Sequence, residues 1–345
     1  MPATLERPAT SALRGTIASP MRQIPLSAVE EAASSIYSAV VRTPLVRLHV
    51  PVTTPDGAPV EVYLKLECLQ PIGSFKLRGA MNAVRQLSAA ELAGGVWTVS
   101  AGNAAQGVAF AARAMGAPCS VLVMDTAPDT KIRAIERLGA TVVRATYDEC
   151  WRTVETHQSA RMHGHFVHPF DDDAFIAGNA TAALEILEDL PDVTTVVAAI
   201  GGGGLLAGIG AVMRARRPEV RVVAAEPETA APLAQSLAAG EPQRFAAWQA
   251  SFVDGAGGRS VLPSMWPLLQ PSVDASLVVT LDDAARAMAL VADRLHVIIE
   301  GAAACAAAAA LSGRAGGGKV VAVVSGGNID LSRFATLVGA CGATA

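Results

Sequence analysis

From Val96 onward the chain alternates short apolar runs with helical patterns, and this alternation restricts its fold more tightly than any other feature. Runs of strand length lie at 96–100, 119–124, 141–145 and 165–167, with helices predicted between them at about 104–115, 129–138 and 148–163. A second series follows: a helix at 175–189, a strand at 194–200, a helix at 204–216 and a strand at 220–225. Helices at about 282–295 and 301–311 then precede the strand Lys319–Val324. Nearer the start, Thr43-Pro44 turns the chain and Val60–Glu67 alternates as a strand. Ser27-x-x-Glu30 and Ser88-x-x-Glu91 have the form of capping boxes, the first opening a helix over about 28–39. Strands separated by helices pair in parallel and are covered on both faces, so the class is α/β, with open twisted parallel-type sheets and flanking helices.

Length divides this material. The 345 residues exceed the roughly 250–300 at which a single core stops growing, and two domains follow. The texture changes at His168-Pro169-Phe170, followed by Asp171-Asp172-Asp173, where a domain return is placed. With 51% hydrophobic and only 4% aromatic residues, the core is built from Ala, Val, Leu and Ile. A net charge of −4 offers nothing to nucleic acid or an anionic membrane. The small-apolar run 302–311 is far shorter than the ~20 residues of a membrane span. Residues 1–22 lack an apolar signal segment and read as a mobile tail. The five cysteines have no paired spacing, which disfavours zinc and disulfides and points to a reducing, cytoplasmic setting.

Three segments carry chemistry. In Gly73-Ser74-Phe75-Lys76-Leu77-Arg78-Gly79-Ala80, Lys76 opens a helix, where the local field disfavours an ammonium and favours the free, nucleophilic amine. Lys65 and Lys131 lack a comparable setting, although a solvated surface lysine is the ordinary alternative for Lys76 as well. Gly201-Gly202-Gly203-Gly204 follows an apolar strand and leads into a helix at Leu205; uncovered amides and the helix dipole there suit a phosphate. A tight turn is the competing reading, and no GxxxxGK[ST] pattern supports a nucleotide. Ser100-Ala101-Gly102-Asn103-Ala104 and Ser325-Gly326-Gly327-Asn328 both lie at the C-terminal ends of strands, where α/β proteins bind ligands.

The order and spacing of these segments, from about Pro44 to about Asp330, resemble the threonine/serine dehydratase family of pyridoxal phosphate (PLP) enzymes, fold type II of the tryptophan synthase β-like superfamily, phenylserine dehydratase-like members included. The resemblance implies a small domain, 85–168, inserted into a larger one, 23–84 and 169–345, with the cofactor in the cleft between them, and a homodimeric assembly. It makes Lys76 the Schiff-base lysine with Phe75 beside the cofactor, and gives Gly201, Gly202, Gly203, Gly204 and Leu205 to the phosphate. Asn103 would donate to the phenolic oxygen, a helix N-cap being its alternative, and Ser325 would meet the pyridine nitrogen. Ser100, Ala101, Gly102, Asn103 and Ala104 would hold the carboxylate of an amino-acid substrate. Glu300 resembles a position near the ring, or caps the helix at 301. The implied activity is β-elimination from a β-hydroxy-α-amino acid to a 2-oxo acid and ammonia, with β-replacement as the alternative on the same fold.

Departures from the family refine this. Relatives that racemise serine carry a serine where this chain has Ala101, so racemisation is not expected. The family often has His where Ala104 stands, which predicts room for a bulky β-substituent, unless Phe170 or Asn179 fills it. Some relatives bind a divalent cation after the strand at 220–225; Glu226 and Ala230 fit that pattern but Pro232 does not, so no metal is expected. His157, His163, His165 and His168 fall on different predicted elements, and no G-x-S-x-G elbow accompanies them.

Overall fold

The computed structural model describes residues 22–341. Its strands are β1 (Leu45–Thr53), β2 (Pro59–Leu66), β3 (Val96–Val99), β4 (Cys119–Met124), β5 (Thr141–Ala145), β6 (His165–Phe166), β7 (Thr195–Ala199), β8 (Arg221–Pro227), β9 (Ala275–Val279) and β10 (Gly318–Val324). They form a six-stranded sheet, β1-β2-β10-β7-β8-β9, and a four-stranded sheet, β5-β4-β3-β6. Every neighbouring pair is parallel except β1 and β2. The α/β class therefore holds, but the larger sheet is mixed. Strand β1 was not anticipated because Pro51 interrupts it; as an edge strand with a register shift between Leu48 and Val52, it tolerates the missing donor.

The central strands explain themselves by burial on both faces. In β7, Val196 and Ala198 face one core cluster, while Val197 and Ala199 face another, as the two-residue period requires. One face is covered by the helices Asp173–Asp189 and Gly204–Arg216, the other by Gly301–Leu311. This last helix, GAAACAAAAAL, is buried from Gly301 to Ala310, so small side chains surround it on all sides. The four-stranded sheet has its own apolar cluster, in which Val121 and Val123 pack with Val108 and Ala112.

Boundaries differ where local chemistry competes. Ser88 and Glu91 form the expected capping box, but Ser27 lies inside its helix, Leu26–Ser35. Pro25, with φ −65°, is already the N-cap there and starts the helix earlier. The helix expected over 148–163 ends at Thr156, because His157 adopts φ 59° and stops it. Helices Pro232–Ala239 and Leu331–Cys341, and strand β9, were not anticipated. Of the expected 1–22 tail, residues 1–21 lie outside the described residues; Arg22 is tied to Asp171 at 2.5 Å and Asp173 at 2.6 Å.

Candidate active site

Three strands of the two sheets end on one cavity. Strand β3 leads through Ser100–Gly102 into the helix Asn103–Ala114, β7 leads through Gly201–Gly203 into Gly204–Arg216, and β10 runs out at Ser325. The helix Lys76–Arg85 begins against them, since Phe75 N donates to Ser325 O at 3.0 Å and Ser74 bridges Gly326. The resulting cavity, about 500 Å³, is lined by Phe75, Lys76, Ser100, Ala101, Gly102, Asn103, Ala104, Gly201, Gly202, Gly203, Gly204, Leu205 and Ser325, together with Glu300 and Asn328. Thus every site residue predicted from the sequence reaches the same space.

Lys76 is distinguished by what it lacks. Its Nζ donates to Pro169 O at 2.5 Å and lies 5.2 and 5.3 Å from the ring centres of Phe75 and Phe175. Among the described residues no carboxylate pairs with it. Enclosure away from bulk water lowers its pKa to about 8. Lys65 and Lys131 do have settings of their own. Lys65 is completely buried but paired with Glu185 at 2.6 Å, and Lys131 lines the same cavity while paired with Asp254.

Asn103 does not cap its helix; Gly102 occupies the N-cap position and no side chain bonds there. Instead Asn103 Nδ2 donates to Glu300 Oε1 at 2.8 Å, and its Oδ1 accepts from Asn328 Nδ2 at 2.7 Å. Asn328 is anchored by a second bond to Ile72 O at 2.8 Å. Glu300 likewise stands at the N-cap of Gly301–Leu311 without capping it. Burial, followed by the negative charge of Asp254, raises its pKa to about 7. The role of Asn328, in its glycine-rich segment, depends on a partner that sequence spacing does not reveal.

The glycine loop is shaped by Phe170. A Cβ on Gly202 would lie 2.1 Å from the Phe170 ring, and one on Gly204 would lie 2.8 Å from the Phe170 carbonyl. Gly203 has φ +93°. Among the described residues, the amides of Gly201–Gly204 have no protein acceptor, and they surround the start of a 13-residue helix. That is a preorganised anion cradle. Phe170 is held in turn by His168, whose Nδ1 accepts from Phe170 N at 3.2 Å and Asp171 N at 2.7 Å while Nε2 meets Val154 O at 3.1 Å. Burial pushes the His168 pKa down to about 4, so the neutral ring organises the loop that presents Pro169 O to Lys76. Nothing in the sequence around His168 signals this supporting role, because its partner Val154 O comes from another element.

Glu226 is spent on structure. Its carboxylate accepts from Leu233 N at 2.8 Å, Ala234 N at 2.7 Å and Ser276 Oγ at 2.6 Å, fastening the helix Pro232–Ala239.

A family model described as pyridoxal-phosphate dependent enzyme matches residues 36–326. The chain belongs to that family. Like other pyridoxal-phosphate dependent enzymes, it takes pyridoxal phosphate as cofactor. It is 37% identical over 318 residues to an L-threonine ammonia-lyase of Thermotoga maritima, covering 91% of this chain and 78% of that one. It is 34% identical over 324 residues to a serine racemase of Dictyostelium discoideum, covering 92% and 99% respectively. The processed form of threonine deaminase isoform 2 from Solanum lycopersicum superposes with a TM-score of 0.79 at 29% identity, over 93% of this chain and 96% of that one. The residues present fit the cofactor: an acceptor-free amide cradle for a phosphate lies in one cavity with an unpaired, enclosed amine.

Proposed function

We propose that this enzyme eliminates the β-hydroxyl of a β-hydroxy-α-amino acid and releases a 2-oxo acid and ammonia. The observation that carries the reading is the Lys76 amine, enclosed without an ion-pair partner at the meeting of the three glycine-rich loops. Names of relatives, L-threonine ammonia-lyase and L-threonine dehydratase, support the same reaction class. When bound, pyridoxal phosphate would accept the electron pair left at the α-carbon. Gly201–Gly204 and Leu205 would hold its phosphate, Lys76 would anchor it, Phe75 would flank it, and Asn103 and Ser325 would fix the orientation of its ring. The Ser325 hydroxyl has no protein partner among the described residues and opens to the cavity. A hydroxyl donates no charge to a ring nitrogen, which suits elimination better than reactions needing a stronger electron sink.

The chain's own groups then divide the work. Ser100–Ala104 hold the substrate carboxylate. The Lys76 Nζ takes the α-proton, and the bond from Cβ to oxygen breaks as the hydroxyl takes up a proton and leaves as water. The Cα=Cβ bond so formed becomes C=N as Cβ takes up a proton and the nitrogen gives one up. Addition of one water to the resulting C=N bond releases ammonia and leaves the 2-oxo acid, so the net change is amino acid to oxo acid plus ammonia. Ala101 carries no proton donor for the opposite face of the α-carbon, and inversion is not expected.

The test is a substrate panel assayed for 2-oxo acid and ammonia without any added nucleophile, with D-isomer measured in deuterated water. Equimolar oxo acid and ammonia, with D-isomer below about a hundredth of turnover, is the expected result. Product that appears only with an added nucleophile would place the enzyme among the β-replacement enzymes instead.

The division into 23–84 with 169–345, and 85–168, belongs to this reading; β1, β2 and β7–β10 fall in the first unit and β3–β6 in the second. So does a cytoplasmic homodimer. Buried thiols at Cys119, Cys150 and Cys305 suit a reducing compartment, and exposed Val41 and Leu69 offer apolar surface to a second copy, which sedimentation would detect.

A further inference from the structure

The catalytic cavity opens into a second chamber of about 570 Å³. Val99, Ser100, Ala101, Phe170, Gly201 and Gly202 line both, so the second chamber begins beside the proposed carboxylate loop and extends away from Lys76. Its far wall combines Tyr147 and Trp151, from the helix Tyr147–Thr156, with Trp248, Leu262 and Leu269. The chain has only four tryptophans, and two of them meet here. Their indole N–H groups are engaged elsewhere, Trp151 with Glu155 at 2.8 Å and Trp248 with Gly257 O at 2.9 Å. Arg259 bridges the outer end, its guanidinium 4.7 Å from the Tyr147 ring centre and 4.0 Å from that of Trp248. The result is a large, mainly apolar chamber with a cation stacked on its aromatic wall, sharing lining residues with the catalytic cavity.

A methyl or hydrogen at Cβ, as in threonine or serine, leaves this chamber untouched. We infer that it receives an aryl β-substituent, making the substrate class β-aryl-β-hydroxy-α-amino acids; this rests on the elimination reading above. An apolar cavity of ~150 Å³ already accommodates a benzene ring, so a phenyl group fits with room to spare. Withdrawing that ring from water at roughly 25 cal/mol per Å² gives a preference over a methyl group of about tenfold or more. Ala104 lines the catalytic cavity but not this chamber, so the vacancy expected at Ala104 is not the source of the space. Neither proposed filler takes that role: Asn179 Oδ1 is bound to Gly79 N at 3.1 Å, and Phe170 stacks on the glycine loop as a wall shared by both chambers.

The experiment compares kcat/KM for threonine and threo-β-phenylserine in the holoenzyme, with phenylpyruvate as the product of the second. Wild type should favour phenylserine by about tenfold or more. Trp151→Ala, which removes one wall, and Leu262→Trp, which fills the chamber, should each lower phenylserine turnover about tenfold while leaving threonine within about twofold. A second readout is inhibition by 3-phenylpropionate, which has no amine and cannot react; its competitive constant should weaken about tenfold in Trp151→Ala. Should Leu262→Trp fail to fold, Trp151→Ala alone decides. Wild type that prefers threonine, or a Trp151→Ala variant that loses both substrates equally, overturns the inference while leaving elimination standing. If neither substrate gives oxo acid, the elimination reading falls and the inference with it.

Discussion

Lys76→Ala is expected to reduce elimination by about a thousandfold or more, because in the proposed mechanism one substitution removes both the covalent anchor and the base. The visible absorbance of purified holoenzyme should disappear with it. Borohydride reduction followed by peptide mapping should label the peptide containing Lys76; label on Lys65 or Lys131 would falsify the assignment. Lys131→Ala is the informative control, since Lys131 lines the same cavity but is paired with Asp254. It should keep the chromophore. The lowered pKa of Lys76 also has a thermodynamic signature in the protein without cofactor. The folded amine titrates at about 8 and the unfolded one near the ordinary lysine value of 10.5, so between these values the unfolded chain binds more protons. Stability of the cofactor-free protein should therefore rise with pH through that window, and its cost is fully present below about 8. Lys76→Met should flatten this slope in thermal unfolding measured from pH 7 to 10, and a slope that persists would mean another group is responsible.

The part of the site legible in the sequence was the part built locally. Gly201–Gly204, Ser100–Ala104 and Ser325–Asn328 each follow an apolar strand directly, so chain order alone placed them at strand ends. What stayed illegible depends on distant partners. Asn103 is separated by 197 residues from Glu300 and by 225 from Asn328, and a sequence read in one direction gives no reason to join them. The aromatic chamber is equally hidden, because Trp151 comes from a helix beside the four-stranded sheet and Trp248 from a loop of the 241–265 segment. In the fold, the unanticipated strands β1 and β9 are both edges of the larger sheet. Edge strands are half-exposed and carry weaker periodicity than β7 or β10, whose apolar runs were unmistakable. Even the lysine motif was only partly read. Arg78 appeared as one letter of the pattern around Lys76, with no sign that it is the most heavily bonded side chain behind it.

Glu185→Ala should cost about 3–5 kcal/mol of stability, the usual consequence of removing one partner from a buried ion pair. Arg78 is completely buried and clamps two carboxylates, reaching Glu67 at 2.7 and 2.8 Å and Glu185 at 2.6 and 2.9 Å. Lys65, also completely buried, pairs with Glu185 at 2.6 Å and donates to Thr43 O at 2.7 Å. The two cations are matched by Glu67 and Glu185, with the partly exposed Asp189 3.7 Å from Lys65, and Thr181, Gln70 and Tyr37 satisfy further positions around them. Removing Glu185 leaves Lys65 with only the partly exposed Asp189, at 3.7 Å, and Arg78 with Glu67 alone. Because whole-domain stability is on the order of 5–15 kcal/mol, the loss should be plain in urea or thermal unfolding. Burial alone would raise the Glu67 pKa, but Arg78, through its charge and hydrogen bonds, holds it below the usual carboxylate range. Its stabilising contribution is thus complete above that range and is lost as pH falls through the depressed value. The same cluster ties the helix carrying Lys76 to β2 and to the helix Asp173–Asp189. In Glu185→Ala the reactive lysine therefore loses its backing before it loses any direct contact, so turnover at low temperature should survive better than the unfolding midpoint. A variant with wild-type stability would show that Lys65 and Arg78 find water or another acceptor, and that this network does not hold the helix in place.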